Sequence, residues 1–222
     1  MPTNYYDDLI DNPTSRCPCM LVLDISVSMR GEPINELNQG VNQFIQAVLE
    51  DDFASYAVDV GIITFGGTAQ EIVPIQSIQK VEVPTLTPTG NTPMGEAINK
   101  AIQVLEKRKQ EYKKSGVSYY QPWLVLMTDG EPTDNYQVAA TKLRKLAETN
   151  KMLVIAVGIG ERCNLSKLAE FCSSDNPPKQ LTGLKFEEFF KWLSQSVGEV
   201  ITKSTPGVSF QATQSTDDWE SF

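Results

Sequence analysis

Three segments of the chain, 20–25, 123–128 and 152–158, carry apolar residues on both parities rather than in alternation. A strand of that kind is covered on both faces. Between them the apolar spacing changes to that of helices. Ile34, Leu37, Val41, Phe44, Ile45 and Val48 mark one helix, with Pro33 suited to its first turn. Met94, Ala97, Ile98, Ala101, Ile102 and Leu105 mark a longer one that ends near Gly116. Amphipathic helices are also predicted over 138–150 and 185–203, with a short one over 165–173. The β-branched run 56–65 and the run 69–75 flank Gly66, Gly67 and Thr68, which predicts a pair joined by a tight turn. Residues 179–183 read as an edge strand. Buried strands alternating with amphipathic helices predict an α/β fold with a mainly parallel sheet covered on both sides.

In such sheets ligands sit beyond the carboxyl ends of the strands, where strand order reverses. Two of the buried strands end there in acids, Asp24 and Asp129. In the run from Leu21 to Met29 the polar residues Asp24, Ser26 and Ser28 alternate, so an extended chain projects them to one side. They offer only oxygen, which suits Mg²⁺, Mn²⁺ or Ca²⁺. Thr92, in GNTPMGEAI, and Asp129, in MTDGEPTD, supply further oxygens if their segments converge. Each residue also has a plainer reading. Thr92 precedes Pro93 and a helix and suits an N-cap. Ser28 suits a loop brace, and Asp129–Gly130 is a common turn pair. Taken together, three segments at one end of a parallel sheet favour a cation site.

Composition narrows the chemistry. The 222 residues suit one domain with tails: an arm over 1–15, a domain over 16–203 and an acidic tail over 204–222. The net charge of −9 argues against nucleic acid and anionic membrane as partners. The absence of histidine excludes Ser-His-Asp and Cys-His catalysis and His-ligated zinc. Cys17 and Cys19 read as lying before the first strand and Cys163 after a later one, too far apart for a four-thiolate site. Cys163 and Cys172 bracket the short helix, a spacing too long for a disulfide. All four thiols read as structural. The start has no apolar leader and no run approaches a membrane span, so a cytoplasmic, soluble protein is expected.

The ligand pattern resembles the metal-ion-dependent adhesion site (MIDAS) of von Willebrand factor type A (VWA) domains. Asp24, Ser26 and Ser28 match its D-x-S-x-S element, Thr92 its distant threonine and Asp129 its last acid. ITFGG, GNTPMGEAI, SYYQPWLVLMTDGEPTD and LKFEEFFKWLS further resemble the bacterial TerY-like branch associated with tellurite-resistance clusters. Ile25 and Val27, between the ligands, are bulkier than the small residues often found there. The resemblance implies a three-layer, doubly wound (Rossmann-like) fold. Its six-stranded, mainly parallel sheet would have one antiparallel edge strand, 69–75. It also implies a non-enzymatic interaction module whose cation, Mg²⁺ first with Mn²⁺ and Ca²⁺ as alternatives, captures an Asp or Glu carboxylate of a protein partner. Kinases, phosphatases and Ter-like proteins in a stress-response or phosphorylation-linked complex are the partners it suggests.

Two other functions compete. One is a Mg²⁺-dependent phosphotransferase or phosphatase with Asp24 as nucleophile. Ser26 stands where such enzymes usually carry a second acid. The other is nucleotide binding, but the GIGERC segment has neither a G-x-G-x-x-G spacing nor a Walker lysine.

Overall fold

The structure, a computed structural model, describes residues 12–161, 163–183 and 185–208, together with Leu9. Its strands are β1 (Cys17–Asp24), β2 (Val58–Gly66), β3 (Thr68–Ser77), β4 (Trp123–Thr128), β5 (Leu153–Ile159) and β6 (Lys179–Leu181). Its helices are α1 (Glu32–Leu49), α2 (Ala54–Ala57), α3 (Met94–Lys114), α4 (Gln137–Glu148), α5 (Leu165–Leu168) and α6 (Phe186–Lys203). The sheet order is β3-β2-β1-β4-β5-β6. Only β3 runs antiparallel, paired with β2 across the Gly66–Thr68 turn, as the sequence predicts.

Strand parity divides the core into two layers. Leu21, Leu23, Val125, Met127, Ile155 and Val157 pack with Val41 and Phe44 of α1 and Phe189 and Phe190 of α6. Met20, Val22, Leu124, Leu126, Val154 and Ala156 pack on the other face with Ile98, Ala101 and Leu105 of α3 and Leu143 of α4. Both faces are therefore withdrawn from water, and the continuous apolar runs follow from that double burial. Gly40 permits the close contact of α1 and α6. A Cβ there would stand 2.5 Å from the Phe190 ring.

Two local expectations are corrected. Cys17 and Cys19 lie inside β1, not ahead of it, and both are buried. Pro18 masks this in the sequence. It is tolerated because β1 pairs with β2 from Cys17 but with β4 only from Cys19, so at Pro18 one edge carries no ladder. The helix expected over 165–173 is broken, with α5 followed by a 3₁₀ turn, Ala169–Phe171. Among the described residues all four cysteines are free thiols.

The amino end of the sheet is locked by a buried ion cluster. Asp59 accepts hydrogen bonds from Arg108 Nη2 (2.6 Å) and Nε (3.0 Å), from the Tyr112 hydroxyl (2.6 Å), and from Arg16 Nη1 (3.4 Å). Desolvation and the Asp59 charge push the Tyr112 hydroxyl well above its ordinary range. Arg16 also donates to the Asn12 carbonyl (3.2 Å), and Asn12 Nδ2 to the Tyr56 carbonyl (2.9 Å). The described part of the predicted arm is thereby fastened to α2, just ahead of β2. At the other terminus, Gly207 N donates to the Tyr119 carbonyl at 3.2 Å, and residues 209–222 of the predicted tail lie outside the described residues.

Candidate metal centre

Strand order reverses between β1 and β4, which lie side by side in parallel register from Cys19↔Trp123 to Leu23↔Met127. Their carboxyl ends deliver Asp24 and Asp129 to the same edge of the sheet. Asp24 is fully buried. Its Oδ1 accepts the Ser26 N–H at 2.7 Å and its Oδ2 the Thr128 hydroxyl at 2.5 Å. The Asx-type bond to Ser26 turns the chain out of the strand into a 3₁₀ turn, Val27–Met29. That turn brings the two serine hydroxyls together, with Ser26 Oγ and Ser28 Oγ 2.9 Å apart. Ser28 Oγ in turn donates to Asp129 Oδ1 at 2.7 Å.

Thr92 arrives on the loop 81–93, which is held at several points. Asn38 of α1 pairs with the backbone of Leu86, accepting from its N–H (2.7 Å) and donating to its carbonyl (3.0 Å). Thr89 N donates to the Ile25 carbonyl (2.7 Å), Val27 N to the Gly90 carbonyl (3.1 Å), and Gly67 N to the Asn91 carbonyl (2.8 Å). Gly90 has φ +57°, and a Cβ on it would stand 2.4 Å from Gly67 Cα, so this approach requires glycine. Thr92 Oγ1 lies 3.6 Å from where a Cβ of Gly130 would be, beside the residue that follows Asp129. Thr92 does not cap α3. Pro93 takes the N-cap position with no side-chain bond, and the N–H groups of Gly95 and Glu96 go to Asp134. All five predicted residues therefore gather at one end of the sheet.

The electrostatics are those of a site short of positive charge. Burial, with a contribution from Asp129, pushes the Asp24 carboxyl up to about 6, against the pull of its bonds to Thr128 and Ser26. Cys163, on the loop after β5, faces the same acids. Burial, then the charges of Asp129 and Asp24, push its thiol up to about 11, so without a cation it stays protonated at neutral pH. Among the described residues no three acidic or thiol side chains form a metal-binding group. The donor set mixes hydroxyls with two carboxylates. All of its donors are oxygens, the type a hard ion takes. Neighbouring oxygens in an octahedron around Mg²⁺, with bonds of about 2.0–2.1 Å, lie about 2.8–3.0 Å apart. The Ser26–Ser28 and Ser28–Asp129 separations of 2.9 and 2.7 Å are hydrogen bonds of ordinary length, and they bring these oxygens as close together as neighbours in such a shell.

Comparison with known proteins adds to the geometry. The family model of the von Willebrand factor type A domain matches residues 19–192. The chain belongs to that family. A solved VWA2 protein, the ArnB paralog of Sulfolobus acidocaldarius, has the same fold (TM-score 0.54, 20% identity, 86% of this chain and 46% of that one). So does the pilus adhesin SpaC of Lactobacillus rhamnosus GG (TM-score 0.67, 14% identity, 85% of this chain and 31% of that one). The mussel-byssus proximal thread matrix protein 1, solved with a zinc-occupied MIDAS motif, is similar over 86% of this chain and 47% of its own (TM-score 0.58, 20% identity). Among curated proteins, sll0103 of Synechocystis sp. is 26% identical over 187 residues. That match takes in 78% of this VWA chain but 41% of the relative, so the chain spans about two fifths of the curated protein it matches.

Several residues that support the candidate site are silent in the sequence pattern. Thr128 ends an apolar run and reads as one more buried strand position. Its hydroxyl instead bridges Asp24 to the Gly130 backbone, accepting from Gly130 N at 3.1 Å. Thr133 and Asp134 read as loop residues. They tie the β4–α4 loop to Thr92 and to α3. Asn164 Nδ2 donates to Glu131 Oε1 at 2.7 Å, fastening the β5 loop to the β4 loop.

Proposed function

We propose that this VWA domain is a non-enzymatic protein-interaction module that captures a partner's Asp or Glu carboxylate through a divalent cation. The observation that carries the reading is the chain of oxygens Ser26–Ser28–Asp129, brought together from two separate loops beside the buried Asp24. Ser26, Ser28 and Thr92 would hold the ion directly, with Asp24 and Asp129 acting directly or through water. Mg²⁺ is the first choice for this all-oxygen donor set, with Mn²⁺ and Ca²⁺ as alternatives. Zinc in the thread-matrix protein's MIDAS motif supports the use of such a site for a divalent ion.

The bound ion would supply uncompensated positive charge. Three neutral hydroxyls and two acids, one of them fully buried, leave an external carboxylate strongly attracted to the open side. Around that side the chain offers an apolar and a basic contact. Val27 is 45% exposed and Arg30 is exposed on the same turn. The adhesin relative fits a protein partner of this kind.

The site's geometry does not favour the phosphotransferase reading. A nucleophilic aspartate must present an oxygen to substrate, whereas Asp24 has 0% exposure and both of its oxygens accept protein hydrogen bonds. We place the module in the cytoplasm, in a tellurite- or stress-response or phosphorylation-linked complex with a kinase, a phosphatase or a Ter-like protein. That context rests on the TerY-like sequence segments. No described helix is long and apolar enough to cross a membrane.

Calorimetric titration with Mg²⁺ tests the site. Wild type should bind one ion, and Thr92→Ala and Asp24→Ala should lose most of that affinity while remaining folded. Unchanged affinity in both variants would refute the assignment. For the partner, EDTA and a single Asp→Asn or Glu→Gln change in the captured protein should weaken the complex alike.

A further inference from the structure

We infer that Asp134 is a positioning residue for the cation site, holding Thr92 and Asp129 in register through the end of helix α3. The inference rests on the cation-site reading above. Asp134 touches none of the five oxygens assigned to the ion. Its two carboxylate oxygens are taken by backbone donors of the first turn of α3, Oδ1 by Gly95 N at 3.0 Å and Oδ2 by Glu96 N at 2.8 Å. These N–H groups have no partner within the helix, and their end of a 21-residue helix attracts negative charge. Thr133, the preceding residue, grips Thr92 by its backbone from both sides. Thr92 N donates to Thr133 Oγ1 at 3.1 Å, and Thr133 N donates to the Thr92 carbonyl at 2.9 Å. The Thr92 carbonyl also accepts from Met94 N at 2.8 Å.

One loop therefore carries Asp129 at its start and a two-residue brace on Thr92 and α3 further along. That brace ties Thr92 directly to the loop that carries Asp129, whereas the other anchors of loop 81–93 tie it to the β2–β3 turn, α1 and the serine turn. Close packing at the brace is a separate sign of its importance. A Cβ on Gly95 would meet Tyr136 Cα at 2.6 Å and Asp134 Oδ2 at 3.0 Å, so only glycine lets the helix end seat on the carboxylate. Partners that orient metal ligands without touching the metal typically change affinity about 10–100-fold when removed.

The test measures the affinity of the full chain for Mg²⁺ alone, by calorimetry, beside the melting temperature in EDTA. Asp134→Ala should weaken Mg²⁺ binding about 10–100-fold. Asp134→Asn, which keeps one acceptor for the helix, should fall between it and wild type, and it carries the test if the alanine variant does not fold. The control is Asp51→Ala. Asp51 Oδ1 caps α2 in the same way, accepting from Phe53 N (2.9 Å) and Ala54 N (2.7 Å), but at the opposite end of the sheet. Its loss should lower the melting temperature and leave the Mg²⁺ affinity within twofold of wild type. Asp134 variants that lose only stability, as Asp51→Ala does, would overturn the inference. So would Asp134→Asn as devoid of binding as Asp24→Ala, which would make Asp134 a ligand. A wild type that binds no Mg²⁺ would instead remove the parent reading, and this inference with it.

Discussion

Replacing Asp24 by asparagine should stabilise the metal-free protein. The carboxyl is fully buried and pushed from an ordinary value of 3.8 up to about 6, first by desolvation and also by Asp129. A raised carboxyl is a cost wherever it must ionise. The folded state holds the proton more tightly than the unfolded chain, so stability is gained as pH falls through 6 towards 3.8. At about 1.4 kcal/mol for each tenfold in proton affinity, the cost near neutral pH is about 3 kcal/mol. The amide is nearly isosteric. Its oxygen still accepts the Ser26 N–H, and its NH₂ donates to the Thr128 hydroxyl, which turns to the Gly130 carbonyl 3.3 Å away. Urea denaturation in EDTA at pH 7.5 should therefore show Asp24→Asn more stable than wild type by up to about 3 kcal/mol, or about 6–12 °C in melting temperature. At pH 5 the advantage should shrink to about half, because wild type takes up the proton. Added Mg²⁺ should raise the melting temperature of wild type alone. A less stable Asp24→Asn at pH 7.5, or a difference that does not change with pH, would refute the reasoning.

Other expectations concern parts of the molecule remote from Asp24. Arg108→Met leaves Asp59 buried with a weakened counter-charge and should cost about 3–5 kcal/mol in urea, with Mg²⁺ affinity unchanged because the cluster lies at the far end of the sheet. Gly90→Ala forces a Cβ into the Gly67 backbone at a left-handed φ and should both destabilise the fold by about 1–3 kcal/mol and weaken Mg²⁺ binding through the displaced Thr92 loop. In a thiol-reagent titration, Cys17 and Cys19 should stay unreactive until denaturant is added. Burial pushes Cys17 well above its ordinary range and Cys19 up to about 12.

The sequence is most legible where one residue's environment repeats along the chain. Double burial writes itself as uninterrupted apolar runs, so β1, β4 and β5, and the acids that end β1 and β4, are readable directly. All the apolar positions that predict α1 and α3 are buried. Legibility fails where a residue's partner is distant and aperiodic. Asp59 sits in a β-branched run and meets Arg108 and Tyr112 from 49 and 53 residues away, a separation no local pattern encodes. Thr128 hides in an apolar strand because a single hydroxyl does not interrupt it. Asp134 is the second aspartate of a loop whose first aspartate already satisfies the motif. Only the backbone of α3, brought to it by packing, reveals what it does.

The central claim is that these oxygens surround a cation. The most direct measurement is an anomalous difference map from crystals of the chain grown with Mn²⁺. A single strong peak should appear within about 2.0–2.3 Å of Ser26 Oγ and Ser28 Oγ and near Thr92 Oγ1, with remaining positions filled by water, by Asp24 or Asp129, or by an acid from a neighbouring molecule. No peak at the ends of β1 and β4, or ordered Mn²⁺ only at surface acids elsewhere, would contradict the account.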